Sequence, residues 1–193
     1  MSTTAMENKP TERRIITVEE YHRMAELGIL NEDSRVELIE GEIIEMSPIG
    51  ISHSCAVDRL TDRLVRVVVG RACVRVQGSF RLSDITAPQP DLILLKWRDD
   101  FYAHKFAGGE DTLLVIEVSD SSLRYDRNVK VPLYAKYGIT EVWIVDLENS
   151  QLHSFRSLAE GKYTNVSTTA QPRLTSLPGL EDLQVDLSGL LEM

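Results

Sequence analysis

The sequence predicts a mixed α/β (α+β) fold, and two kinds of pattern carry the expectation. Short apolar runs bounded by Pro, Ser and Asp, in Pro88-Gln-Pro-Asp-Leu-Ile-Leu-Leu and Leu113-Leu-Val-Ile-Glu-Val-Ser-Asp, have the length and composition of buried strands. Between Ser52 and Gly70, in contrast, Val57, Leu60, Leu64, Val67 and Val68 recur at helical spacing. Asp58, Arg59, Asp62, Arg63 and Arg66 fill the opposite face. Both periods within one chain indicate strands packed against helices.

The elements follow in order. Residues 1–14 lack an apolar stretch of the signal-peptide kind and read as a disordered leader, leaving 15–193 as a single domain long enough for a full core. Thr17 is a candidate N-cap with Glu20 three residues on, the spacing of a capping box. From Arg35 to Met46 apolar and acidic residues alternate on either side of Glu40-Gly41, which predicts a β-hairpin. The long amphipathic helix ends at Gly70, and strands are expected at Cys73 to Leu82, Asp91 to Lys96 and Thr112 to Val118. The segment Trp97 to Asp111 is read as a long mobile loop of functional length. A helix from Tyr125 to Tyr137 stops at Gly138, with Pro132 a complication inside it. Glu141 to Glu148 and Leu152 to Arg156 form the next two strands, and the tail from Gln171 packs back on the body.

Hydrophobic content of 42% with 26% charged residues excludes a disordered chain, and no apolar run approaches the roughly 18 residues that cross a bilayer. Cys55 and Cys73 have neither paired nor His-flanked spacing, as free thiols in a reducing cytosol would, and a cytoplasmic location is expected. The net charge of −9 argues against indiscriminate binding to phosphate backbones. Residues 58–81 depart from it, with 6 basic and 2 acidic groups. Arg59, Arg63, Arg66, Arg71, Arg75 and Arg81 are therefore candidates for contact with nucleic acid, against the plainer reading of a solvated helix face and strand edge.

Asp91 and Glu117 carry the chemistry. Each carboxylate adjoins a buried strand, where an unpaired charge costs several kcal/mol and needs a cation, a proton or solvent. The two strands are consecutive and joined by a loop, so antiparallel pairing brings the start of one beside the end of the other. Asp91 and Glu117 then share one edge of the sheet, where a divalent cation would answer for both.

This arrangement resembles the PD-(D/E)XK nuclease superfamily, and more closely its Uma2 family of bacterial restriction-endonuclease-like proteins. The likeness rests on Arg35-Val-Glu-Leu-Ile-Glu-Gly-Glu-Ile-Ile-Glu-Met-Ser-Pro, His53-Ser, Gln89-Pro-Asp-Leu, Ile116-Glu-Val-Ser-Asp-Ser-Ser, Tyr125-Asp-Arg-Asn-Val-Lys-Val-Pro-Leu-Tyr-Ala and Gly138-Ile-Thr-Glu-Val-Trp-Ile-Val-Asp. It implies a restriction-endonuclease-like fold: a central mixed β-sheet with flanking helices, an αβββαβ-type core, and an added N-terminal helix and β-hairpin. It also implies hydrolysis of DNA phosphodiesters with Mg²⁺ or Mn²⁺. Asp91 and Glu117 match the metal-binding acids, and the Val118 carbonyl is a further ligand. The lysine expected two residues after the acid is replaced by Ser119, so Lys130 on the next helix is the candidate substitute, against an exposed Asp126–Lys130 ion pair. Glu37 is a candidate third contact to metal or water, against a solvated strand face. His53 and Asp126 stay open between site and structural roles, and Tyr134 reads as core. Double-strand cleavage implies a homodimer, with DNA contact expected on the segment from Arg59 to Arg81 and on the Trp97 to Asp111 loop. The rivals are a catalytically silent module of the same fold that binds DNA or a protein, and a metal-free acid/base hydrolase.

Overall fold

The computed structural model describes residues 13–31 and 33–191. Most of the expected leader thus lies outside the described residues. Its last two positions do not: Arg13 pairs with Glu42 and Arg14 with Glu20.

The expected capping box starts α1 (Val18–Glu26): Glu20 N–H donates to Thr17 Oγ1 at 3.2 Å, and Thr17 N–H donates to Glu20 Oε2 at 3.0 Å. The predicted hairpin is β1 (Val36–Ile39) and β2 (Glu42–Glu45). Its turn residues Glu40 and Gly41 have φ of 50° and 80°, the double left-handed conformation that a two-residue hairpin requires. The Ile15 side chain fills the space a Cβ on Gly41 would take, so glycine is needed twice over. Leu38 and Ala87 exchange backbone hydrogen bonds, which ties the hairpin to the body.

Helix α2 (Ile51–Val68) buries Val57, Leu60, Leu64 and Val68, largely the stripe read from the sequence. The six-stranded sheet comprises β3 (Ala72–Val76), β4 (Leu92–Lys96), β5 (Thr112–Ser119), β6 (Val142–Asp146), β7 (Gln151–Ala159) and β8 (Lys162–Ala170), neighbouring one another in chain order. Only β5 and β6 are parallel, which requires a crossover. The crossover is a broken helix: α3 (Leu123–Tyr125), a π turn (Asp126–Lys130) and α4 (Val131–Lys136). A last hairpin, β9 (Leu174–Leu177) and β10 (Leu180–Asp186), follows. From α2 to β6 the order is αβββαβ, in a mixed sheet, as expected.

Two apolar layers sandwich the sheet. Leu92, Leu94, Leu114, Ile116 and Val118 face α2 and the C-terminal segment, which supplies Leu177, Val185, Leu187 and Leu190. Ile93, Leu95, Val115 and Ile144 face the crossover with Val131 and Tyr134. Strand alternation therefore puts Asp91 and Glu117 on the crossover face.

Three sequence expectations change. The strand predicted for Cys73 to Leu82 ends at Val76, because Gln77 adopts φ 46° and turns the chain out of the sheet. The helix predicted for Tyr125 to Tyr137 contains the π turn. Pro132 has no N–H to give the Asn128 carbonyl and would crowd it, and the turn instead passes the Val131 N–H to the Asp126 carbonyl, five residues back. Strand β8 was not foreseen: its Thr, Ser and Asn residues are exposed on both faces and give no alternating signal. Among the described residues, no helix is long and apolar enough to cross a membrane.

Candidate active site

The register Leu92↔Ile116 places Asp91 opposite Glu117 at one end of the sheet. Strand β4 begins one residue after Asp91, so the last residues of β5 project past it. There Asp91 Oδ2 accepts the Val118 N–H at 2.9 Å. Because the N–H and C=O of a strand residue point to the same neighbour, the Val118 carbonyl faces the same gap. The other oxygen, Asp91 Oδ1, is 3.0 Å from His53 Nε2 at the start of α2. That hydrogen bond raises the imidazole pKa, against burial and the nearby Arg35 charge.

Glu117 is 2% exposed and meets the crossover helix. Lys130 Nζ lies 3.2 Å from Glu117 Oε1 and 3.3 Å from Glu37 Oε2, and Tyr134 donates its hydroxyl to Glu117 Oε1 at 2.5 Å. Burial pushes the Glu117 carboxyl well above the carboxylate range, and Lys130 pulls it back only in part. Burial also weakens the hold of Lys130 on its proton, but the Glu117 and Glu37 carboxylates more than reverse this and raise its pKa. One buried ammonium thus serves two buried acid side chains.

Glu37 sits at 1% exposure, so it is not on a solvated strand face. It accepts the Gln89 N–H at 3.1 Å and the Tyr125 hydroxyl at 3.4 Å. Nor is Asp126 part of an exposed pair: it is 3% exposed and accepts the Ser119 hydroxyl at 2.7 Å and the Ser122 hydroxyl at 2.5 Å. Ser119, at the position where the sequence resemblance expects a lysine, fastens the π turn to the end of β5. Tyr134 is core, as read, yet its hydroxyl reaches Glu117.

Glu37, His53, Asp91, Glu117, Asp126 and Lys130 line a cavity of about 680 Å³ with Arg35, Arg124 and Asp120. Sequence reasoning did not single out Arg35, Arg124 or Tyr125. Arg35 had a signal in its i, i+2 relation to Glu37, the spacing that puts two residues of an extended segment on one side; Arg124 had none.

The two segments expected to touch nucleic acid lie elsewhere. None of the six arginines from Arg59 to Arg81 lines this cavity. Arg63 donates to the Asp186 carbonyl, Arg66 pairs with Asp62, Arg71 with Asp182, and Arg81 with Glu19 and Asp84. The 97–111 loop joins the opposite ends of β4 and β5, and antiparallel pairing that unites Asp91 with Glu117 must send it away from them. Tyr102 anchors it, 5% exposed, with its hydroxyl donating to the Lys96 carbonyl at 2.8 Å and the cations of Arg75, Arg98 and Lys105 around its ring.

A solved structure shares this fold: a putative nuclease belonging to DUF820 from Anabaena variabilis ATCC 29413, with a TM-score of 0.68 and 18% identity, over 91% of this chain and 97% of that one. No curated protein matches the chain. The family model described as Uma2, putative restriction endonuclease, matches residues 18–188, nearly the whole described chain, and the protein therefore belongs to the Uma2 family.

Proposed function

We propose that this chain is a divalent-metal-dependent endonuclease that hydrolyses DNA phosphodiester bonds at a PD-(D/E)XK-type site. The observation that supports it most is the Lys130 ammonium against Glu117: the helix delivers the cation that Ser119 cannot supply. The donor set fits Mg²⁺ or Mn²⁺. Among the described residues no three His, Cys, Asp or Glu side chains form a ready-made metal cage. Two carboxylates, Asp91 and Glu117, with the Val118 carbonyl and retained waters, are the kind of sparse oxygen set on which Mg²⁺ is held. When bound, the ion supplies a water of lowered pKa and neutralises charge on the phosphate.

The residues have separate tasks. Lys130 orients the attacking water and offsets the charge that develops on the phosphoryl oxygens. Glu37 acts through Lys130, holding its ammonium at 3.3 Å. Tyr134 holds Glu117 in one rotamer, and the Ser119–Asp126–Ser122 hydrogen bonds hold the π turn from which Lys130 projects. A homodimer would present two such sites to a duplex.

Plasmid nicking with Mg²⁺ or Mn²⁺ tests the reading. Cutting is expected to stop in chelator and to fall at least about 100-fold in Glu117→Gln and Lys130→Ala. Full cutting by both variants refutes it. A silent module of the same fold is favoured by one feature, the protein donors already facing Asp91 and Glu117. Calorimetric titration with magnesium separates the two, since the nuclease binds the ion and Asp91→Ala does not.

A further inference from the structure

Most cations of this acidic chain are engaged by its own carboxylates, carbonyls and rings. Arg35 and Arg124 are not: among the described residues neither has such a partner. They are also the two arginines that line the cavity of the candidate site. Arg35 Nε is buried without any hydrogen-bond partner, a state that is unfavourable unless a ligand relieves it.

Their placement says what would relieve it. Arg35 lies immediately before β1, two residues from Glu37, and Arg124 precedes Tyr125, whose hydroxyl donates to Glu37 Oε1 at 3.4 Å. Both arginines therefore stand next to the Lys130 cluster without belonging to it. Acids contest the same mouth, since Glu45 and Asp120 also line it. A monoanion would gain little against them. A polyanion crossing the cavity gains more, because each guanidinium can take a phosphate bidentately while the chain continues over the acidic floor.

We propose that Arg35 and Arg124 form a subsite for a backbone phosphate flanking the scissile one, an inference that rests on the nuclease reading of the same cavity. The subsite grips the strand independently of cleavage, and its contribution is read as affinity and salt dependence rather than as chemistry.

The test is binding of a fluorescein-labelled DNA duplex in chelator, followed by anisotropy across a salt series, with plasmid cutting measured separately. Arg35→Gln and Arg124→Gln are each expected to weaken binding several-fold and to reduce the slope of log K against log salt by about 0.9. Arg173→Gln, an exposed arginine outside the cavity, should leave both unchanged. Arg124 is exposed, so its variant stays informative even where Arg35→Gln unfolds early. Unchanged slopes in both variants, or no duplex binding by wild type, overturn the subsite even if Mg²⁺-dependent cutting is intact. Arginine-dependent slopes with no cutting in any metal uphold the phosphate contacts and overturn the nuclease reading alone.

Discussion

Lys130 is the residue whose loss should be felt in two measurements at once. Lys130 is 5% exposed with its ammonium against Glu117 and Glu37, and removing one partner of a buried ion pair costs about 3–5 kcal/mol because the other charges are left behind. Lys130→Met keeps the bulk and should lower stability by that amount in urea melts, alongside the loss of cutting. Adding Glu37→Gln should restore part of the stability and none of the activity, since it removes one of the stranded charges. A single Lys130→Met variant as stable as wild type would show that the ammonium is not held between the acids. Asp91 and Glu117 were readable from the sequence because a carboxylate beside an apolar run is conspicuous and hairpin pairing fixes where it goes. The burial of Glu37 and Asp126 was not: their neighbours Gln89, Tyr125, Ser119 and Ser122 come from other segments, which no local pattern reports.

Among the elements, the π turn shows how far a local signal reaches. Pro132 announces that a regular helix cannot run through it, yet a kink and a π turn relieve the same clash, so the sequence leaves the choice open. Tertiary contacts decide it, with Asp126 drawn to Ser119 and Ser122. The β6–β7 turn offers a cleaner test of an element held by one side chain. Asp146 accepts the Asn149 N–H at 3.0 Å and the Asn149 side-chain N–H at 2.9 Å, and lies 3.4 Å from His153 Nε2. Burial alone would raise this carboxyl, but the Asn149 bonds and His153 outweigh it and the pKa is lowered from its usual 3.8. A depressed carboxyl contributes stability above its unfolded pKa and loses it as the pH falls through that of the folded state. Wild type should therefore lose stability more steeply than Asp146→Asn as urea melts are taken from pH 6 to pH 3. Parallel curves would show that the carboxylate is not selectively held.

For the whole molecule, the C-terminal segment is structural cover rather than an appendage. Leu177, Val185, Leu187 and Leu190 complete the layer on α2, and Arg63 ties the helix to the Asp186 carbonyl at 2.8 Å. Leu190 is fully buried, so Leu190→Ala should cost about 2–5 kcal/mol in denaturant melts with little change in metal affinity. A loss under 1 kcal/mol would mean the tail is not packed on α2. The Leu-rich tail and the core strands were legible because burial leaves an apolar signature. Strand β8 was not, since a strand lying beyond the core carries none.

The opposed ends of β4 and β5 have a practical use. Five residues of β4 span about 16 Å, so whatever is attached near His104, at the exposed crest of the distal loop, is kept at least that far from Asp91 and Glu117. A fluorophore or an affinity handle grafted there should leave nicking rates as they were. Immobilised through that crest, the protein would present its cleft outward to solvent.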